Sequence, residues 1–263
     1  MTRILLVGCG KMGGAMLDGW LDRGISASDI IVVEPSLSVA RTGLSVVAGI
    51  DGIPATFHPD VVVLAVKPQM MDAVLPPYGR YTGAVFLSIA AGKTIGYFTR
   101  GLGDALAVVR AMPNTPASVR RGMTVAVANG AVTEAQKQIC DGLLAAVGDV
   151  AWVEDEALID AVTAVSGSGP AYVFLLAETL AEAGIAAGLP PELSARLARA
   201  TLTGSGELLR QSSETPAVLR QNVTSPGGTT FAALQVLMGE GGFNGLMTRA
   251  IAAATQRSRE LAG

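Results

Sequence analysis

Histidine is almost missing from this 263-residue chain, which carries only His58. That excludes His-rich metal centres and most Ser–His–Asp schemes. Cysteine is nearly as scarce. Cys9 and Cys140 show no metal-ligand spacing and no secreted disulfide pattern, so a reducing, cytoplasmic setting is the default expectation. Aromatics make up 5% and charged residues 16%, with a formal net charge of −3. Nucleic-acid binding calls for a basic stripe interleaved with stacking residues, and none is present. Uninterrupted apolar runs are also lacking, although mean hydropathy is +0.45. A spanning helix needs about 20 apolar residues in a row. The best candidate, Tyr172 to Leu189, is broken by Glu178 and Glu182 and is predicted to be a buried helix at a domain or subunit contact. The apolar stretch near the start covers only Ile4 to Val7 before glycines intervene, short of the roughly 7–15 residues of an export signal. Neither a membrane nor a nucleic acid is expected as a partner, and no metal site is expected.

What the chain does have is aliphatic mass. Half of its residues are hydrophobic and 32 are glycine, a composition that suits close-packed helices and parallel strands. Short apolar runs at 3–7, 30–33, 60–66, 85–89 and 105–109 read as strands. The run DVVVLAV at 60–66 suits a strand buried on both faces. Segments of helical length lie between them, at 11–23, 69–75 and 94–101. This alternation predicts an α/β fold, a doubly wound parallel sheet of Rossmann type. The pattern changes near residue 150. A strand-like 147–153 is followed by helical segments at 155–165, 170–187, 190–209, 229–238 and 243–261. The polar stretch 211–228 reads as a loop. The expected domains are 1–152, binding a dinucleotide, and 153–263, all helical.

Gly8-Cys9-Gly10-Lys11-Met12-Gly13 follows the first strand and opens a helix. In such a G-x-G-x-x-G turn the first glycine permits the tight bend. The second admits the pyrophosphate to the backbone, and the third lets helix and strand pack. The helix N-terminus offers free N–H groups to phosphate. Glu34 ends the second strand, 21 residues past Gly13, where an acid accepts from the adenosine ribose. A carboxylate there favours the 2′-OH of NADH and repels the 2′-phosphate of NADPH. Ser36 is the only nearby donor, with Arg41 further along. Ala65-Val66-Lys67-Pro68 and Ser88-Ile89-Ala90-Ala91-Gly92 follow strand C-termini, where ligands bind in open α/β sheets.

Two later segments are more telling. One is Val165-Ser166-Gly167-Ser168-Gly169-Pro170-Ala171-Tyr172. The other is Val223-Thr224-Ser225-Pro226-Gly227-Gly228-Thr229-Thr230, whose helix entry suits an anion such as a substrate carboxylate. Together with GCGKMGGAM, AVKP, SIAAG and AMPNTP in the same order, they make the chain resemble the Δ1-pyrroline-5-carboxylate reductase family over almost its whole length. The resemblance implies a Rossmann domain followed by a helical dimerisation domain, with decamers built from dimers in some members. It implies hydride transfer from NADPH or NADH to a cyclic imine, yielding proline in the last step of its biosynthesis.

By the same resemblance, Gly228, Thr229 and Thr230 hold the substrate carboxylate through backbone amides. The Thr230 hydroxyl bonds the ring nitrogen and is the catalytic group, and Asn222 and Glu156 line the site. Lys11 and Met12 amides, with Val66, Lys67 and Ala91, contact the cofactor. One departure stands out, because the family commonly places a small polar residue where Glu34 stands.

Two other readings compete. A β-hydroxyacid dehydrogenase shares the glycine-rich start but uses a helical lysine as acid and base, and no lysine occurs between Val150 and Gly263. A dinucleotide sensor that lost turnover has no need of a carboxylate pocket. His58, beside Pro59 ahead of a strand, is expected to be structural or solvated.

Overall fold

The computed structural model describes residues 2–39, 41–103 and 105–262. The chain forms two compact units: 1–167 together with 255–263, and 168–254.

The larger unit is built on an eight-stranded sheet. Its strands are β1 (Ile4–Val7), β2 (Ile30–Val33), β3 (Ser45–Val47), β4 (Val61–Leu64), β5 (Val85–Ser88), β6 (Val108–Met112), β7 (Gly122–Ala128) and β8 (Gly148–Trp152). They lie in the order β3-β2-β1-β4-β5-β6-β7-β8. Every neighbouring pair is parallel except β6 and β7. The helices are α1 (Lys11–Asp22), α2 (Met71–Val74), α3 (Ile95–Leu102), α4 (Glu134–Ala145) and α5 (Leu158–Val162).

Alternation along the strands explains the layering. Ile4 and Leu6 of β1 join one core with Val61 and Val63 of β4 and with Met16, Leu17 and Trp20 of α1. Leu5 and Val7 join the other, with Val62, Leu64, Met71 and Phe98. Successive side chains on a strand point to opposite faces, so an unbroken apolar run buries both. The order of the strands reverses between β1 and β4, the switch point at which open α/β sheets bind ligands.

Several expected elements differ. The sixth strand runs 108–112, not 105–109, because Arg110 inside it is buried and extends the strand past the apolar run. β3, β7 and α4 did not stand out from periodicity. β3 has only three residues, and β7 contains the buried polar Thr124. α4 carries a full capping box, Thr133 with Gln136, a signal that the sequence does offer.

The expected domain boundary near residue 152 does not coincide with the compact units. Ile159 and Ala164 are fully buried, and Ile159 packs on Val125 and Val127 of β7. The Ser258 hydroxyl donates to Asp160 at 2.7 Å. Segment 153–167 and the last turns of the chain therefore belong with the sheet. The outer limits of the expected domains, residues 1 and 263, lie outside the described residues.

The smaller unit is helical: α6 (Gly169–Ala186), α7 (Pro191–Gln211), α8 (Pro216–Asn222), α9 (Thr229–Leu237) and the first turns of α10 (Phe243–Ala262). α8 lies inside the stretch read as a loop. Its Thr215 cap accepts from the Val218 N–H and Pro216 opens its first turn, which outweighs the polar composition. α6 and α7 approach closely, with the Ser194 hydroxyl donating to the Ala181 carbonyl at 2.6 Å.

Among the described residues of 168–254, only Ser194 and Ala198 are buried. Val173, Phe174, Leu175, Leu180 and Ile185 of α6 are exposed. The expectation that α6 is buried thus fails within one chain. The continuous helical run 158–186 is long and apolar enough, by length and composition alone, to cross a membrane.

Candidate functional site

The glycine-rich turn sits at the C-terminal end of β1, and its three glycines do different work. Gly8 has φ +87°, and a Cβ there would lie 2.8 Å from Val66 Cγ1 and 3.0 Å from the Ala65 carbonyl. Gly13 faces the Gly8 carbonyl oxygen so closely that a Cβ would lie 2.6 Å from it. Around Gly10 nothing lies within 4 Å of such a Cβ. Two glycines therefore serve packing, and the middle one leaves an open cradle at the start of α1, where free N–H groups and the helix dipole favour phosphate.

A cleft of about 460 Å³ opens beside this turn. Gly8, Gly10, Glu34, Ala65, Val66 and Lys67 all line it, so the structure brings six of the sequence-predicted cofactor residues together. Lys11 and Met12 begin α1 next to the cradle, and Gly13 stands behind it. Pro68 opens a short 3-10 turn (Pro68–Met70) past Lys67. Ala90, Ala91 and Gly92 follow β5, two strands from β1, and do not line this cleft. Sequence reasoning missed its far wall, formed by Ala48, Gly49 and Ile50 after β3 and by Met70, Val74 and Tyr78. The signal for β3 was too short to anchor that prediction.

Glu34 is held in place. Its Oε2 accepts the Cys9 N–H at 3.0 Å and its Oε1 accepts the Ser36 hydroxyl at 3.0 Å. The Cys9 amide bond, more than any other contact, holds the Glu34 pKa below the usual range, and Ser36 adds to the effect. The Glu34 carboxylate is therefore anionic. Arg41 is turned to α1 instead: its Nε and Nη2 donate to the two Asp18 carboxylate oxygens at 2.9 and 3.1 Å. Burial and the Glu34 charge raise the Cys9 thiol pKa, so Cys9 is a thiol rather than a nucleophile. His58 is exposed ahead of β4, at the strand end opposite the cleft.

The helical unit carries a glycine-rich helix entry of its own. Gly227 turns with φ +69°, and the Gly228 N–H donates to the Ser225 carbonyl at 3.1 Å. A Cβ on Gly228 would fall 2.4 Å from Ser225 Oγ and 3.2 Å from the Ser225 carbonyl oxygen, so a larger residue at this entry to α9 would press on Ser225. The N–H groups of Thr229 and Thr230 have no acceptor among the described residues. Free amides at a helix start favour an anion, whereas the Gly228 amide is already engaged. The Asn222 carboxamide donates to Glu214 at 3.0 Å, a partner that sequence spacing did not suggest.

Glu156 is anchored at the end of the sheet. Its Oε1 accepts from Arg110 Nη1 at 2.8 Å and from the Ile95 N–H at 2.8 Å. It thereby ties α3, which follows the Ala90–Ala91–Gly92 loop, to the buried arginine of β6. Asn114 of the AMPNTP motif does similar work, donating to the Ser166 carbonyl and hydroxyl at 3.2 Å and accepting the Met123 N–H at 2.9 Å. Among the described residues no cluster of metal-ligating side chains occurs.

Kinship agrees with this geometry. Residues 156–261 match the family model for pyrroline-5-carboxylate reductase dimerisation, and residues 3–92 match that for NADP oxidoreductase, coenzyme F420-dependent. A pyrroline-5-carboxylate reductase of Pseudomonas aeruginosa is 42% identical, with 99% of this chain and 97% of the relative covered. One from Synechocystis is 40% identical, with 97% of each covered. The structure of a pyrroline-5-carboxylate reductase from Coxiella burnetii superposes with a TM-score of 0.93 at 36% identity, covering 100% of this chain and 99% of the other. That of the Plasmodium falciparum enzyme with NADP bound gives 0.84 at 30%, covering 100% and 98%. The glycine-rich turn, the Gly-Gly-Thr-Thr helix entry and this full-length similarity together make the chain a member of the pyrroline-5-carboxylate reductase family.

Proposed function

We propose that this chain reduces 1-pyrroline-5-carboxylate to L-proline with NADH or NADPH, the last step of proline biosynthesis. The observation that carries the reading is the entry to α9, where two unengaged amides of Thr229 and Thr230 await an anion. A dinucleotide sensor has no use for it.

The open cradle at Gly10 and the helix start beyond it fit a dinucleotide pyrophosphate. When bound, the reduced nicotinamide supplies the hydride for the C=N carbon. The chain orients the substrate. Thr229 and Thr230 amides hold the carboxylate, and Gly228 keeps the turn open by lacking a Cβ. The Thr230 hydroxyl hydrogen-bonds the ring nitrogen and fixes its distance and angle. The imine nitrogen is basic enough to arrive protonated, so no strong general acid is needed, in keeping with a chain whose single histidine lies elsewhere. Asn222, aligned by Glu214, lines the site. Val66, Lys67 and the Lys11 and Met12 amides position the cofactor, with Ala90, Ala91, Gly92 and Pro68 at its nicotinamide end. Glu156 acts as a positioning residue through the start of α3.

The protein acts in the cytoplasm, and its working form is a homodimer formed through the helical segment. The exposed apolar residues of α6 support this reading, since they need a covering surface.

Mixing the purified protein with pyrroline-5-carboxylate and NADH or NADPH, and following the reduced nicotinamide by absorbance, tests the function. Substrate-dependent decay is expected. No decay with either cofactor sinks the reading and favours the sensor.

A further inference from the structure

The adenosine end of the cleft carries two linked features that the reductase reaction does not require. Glu34 is an anion fixed from two sides, by the Cys9 N–H at 3.0 Å and the Ser36 hydroxyl at 3.0 Å. Because the Cys9 amide belongs to the pyrophosphate turn itself, the carboxylate cannot swing away without losing a bond to that turn. The nearby cation is also committed. Arg41 makes a two-point contact with Asp18 of α1, although its charge is close enough to be felt at Cys9.

We infer that this adenosine subsite selects NADH over NADPH, through exclusion by Glu34 and retention of Arg41 by Asp18. A ribose 2′-OH donates to a carboxylate, whereas a 2′-phosphate placed there meets like charge. An arginine ordinarily accommodates that phosphate, and here it is paired with α1. The selection runs against the NADP in the description of the matched N-terminal family model and in the Plasmodium falciparum structure, so it is a property of this chain's own residues.

The inference rests on the proposed use of a reduced nicotinamide dinucleotide, but binding tests it without turnover. NADH and NADPH are titrated separately by nicotinamide fluorescence, with no pyrroline substrate present, against the full-length wild type, Glu34→Gln and Glu34→Gln/Asp18→Asn. Gln keeps the volume and an oxygen for the Cys9 N–H, so the fold survives. The wild type should bind NADH at least about tenfold more tightly than NADPH. Glu34→Gln should narrow that ratio by about tenfold, and the double variant should tighten NADPH further as the Asp18 charge that holds Arg41 is removed. Equal affinities in the wild type, tighter NADPH, an unchanged ratio in Glu34→Gln, or no binding of either nucleotide each overturn the inference. If NADH is preferred in binding but pyrroline-5-carboxylate is not reduced, the selectivity stands and the proposed reaction falls.

Discussion

The guanidinium of Arg110 and the carboxylate of Glu156 meet at 2.8 Å, and the same carboxylate oxygen caps the first N–H of α3. Arg110 is only 4% exposed in the middle of β6. Glu156 thus neutralises a charge that the sheet has buried, and it uses that charge to fix the helix that follows the Ala90–Gly92 loop. Removing one partner leaves the other charge uncompensated. Glu156→Ala should cost about 3 kcal/mol or more, read as a lower urea midpoint. Replacing both, as Arg110→Met/Glu156→Leu, should recover most of that loss. A Glu156→Ala protein of wild-type stability would show that the pair is dispensable.

The glycines of the turn should separate into two behaviours. Gly13→Ala puts a Cβ 2.6 Å from the Gly8 carbonyl and should destabilise the fold by about 1–3 kcal/mol. Gly10→Ala meets nothing in the protein and should alter stability by less than about 1 kcal/mol, while weakening dinucleotide binding severalfold. Thermal unfolding with and without NADH distinguishes the two. Equal effects on stability would contradict the division of labour.

Thr230→Ala should lower kcat by roughly ten- to a thousandfold, as expected when one positioned hydrogen bond is lost. Thr230→Ser should restore most of it. Substrate KM should change little in either, because the amides that hold the carboxylate remain. An unaltered kcat in Thr230→Ala would remove the hydroxyl from the mechanism.

The acid at the adenosine end gives a pH prediction with a definite sign. Its carboxyl pKa is depressed, chiefly by the Cys9 amide, so the charge persists below the usual glutamate range. What it contributes to the fold is present above that range and is lost only as pH falls through the depressed value. Discrimination between NADH and NADPH attributable to Glu34 should therefore be flat from about pH 6 to 9. A sharp change within that window would assign it to another group.

The thiols should be inert in the native state. Burial pushes the Cys140 pKa up to about 12, and burial with the nearby Glu34 charge raises that of Cys9. At about pH 8 neither is a thiolate to any useful extent. Alkylation followed by mass spectrometry should label both only after unfolding. Rapid native labelling of Cys140 would contradict its burial.

Much of the sheet was legible because β1, β2, β4 and β5 are continuous apolar runs, the pattern that burial on both faces demands. The Gly8–Gly13 turn was legible for a related reason: Gly8 and Gly13 answer local steric needs, and Gly10 leaves the cradle open. What escaped were features fixed by distant partners. Nothing near Glu156 announces Arg110, 46 residues away. α8 was hidden by polar composition even though Thr215 and Pro216 mark its start. The exposure of α6 within one chain could not be judged from its apolar content, because composition does not say whether an apolar face packs on its own chain.

That last point reaches the thermodynamics of the whole protein. A helical unit with only Ser194 and Ala198 buried within one chain has little to hold it together in isolation. Its folding should be coupled to association, so the melting temperature should climb with protein concentration by mass action. Dilution would then act on this enzyme as a mild denaturant.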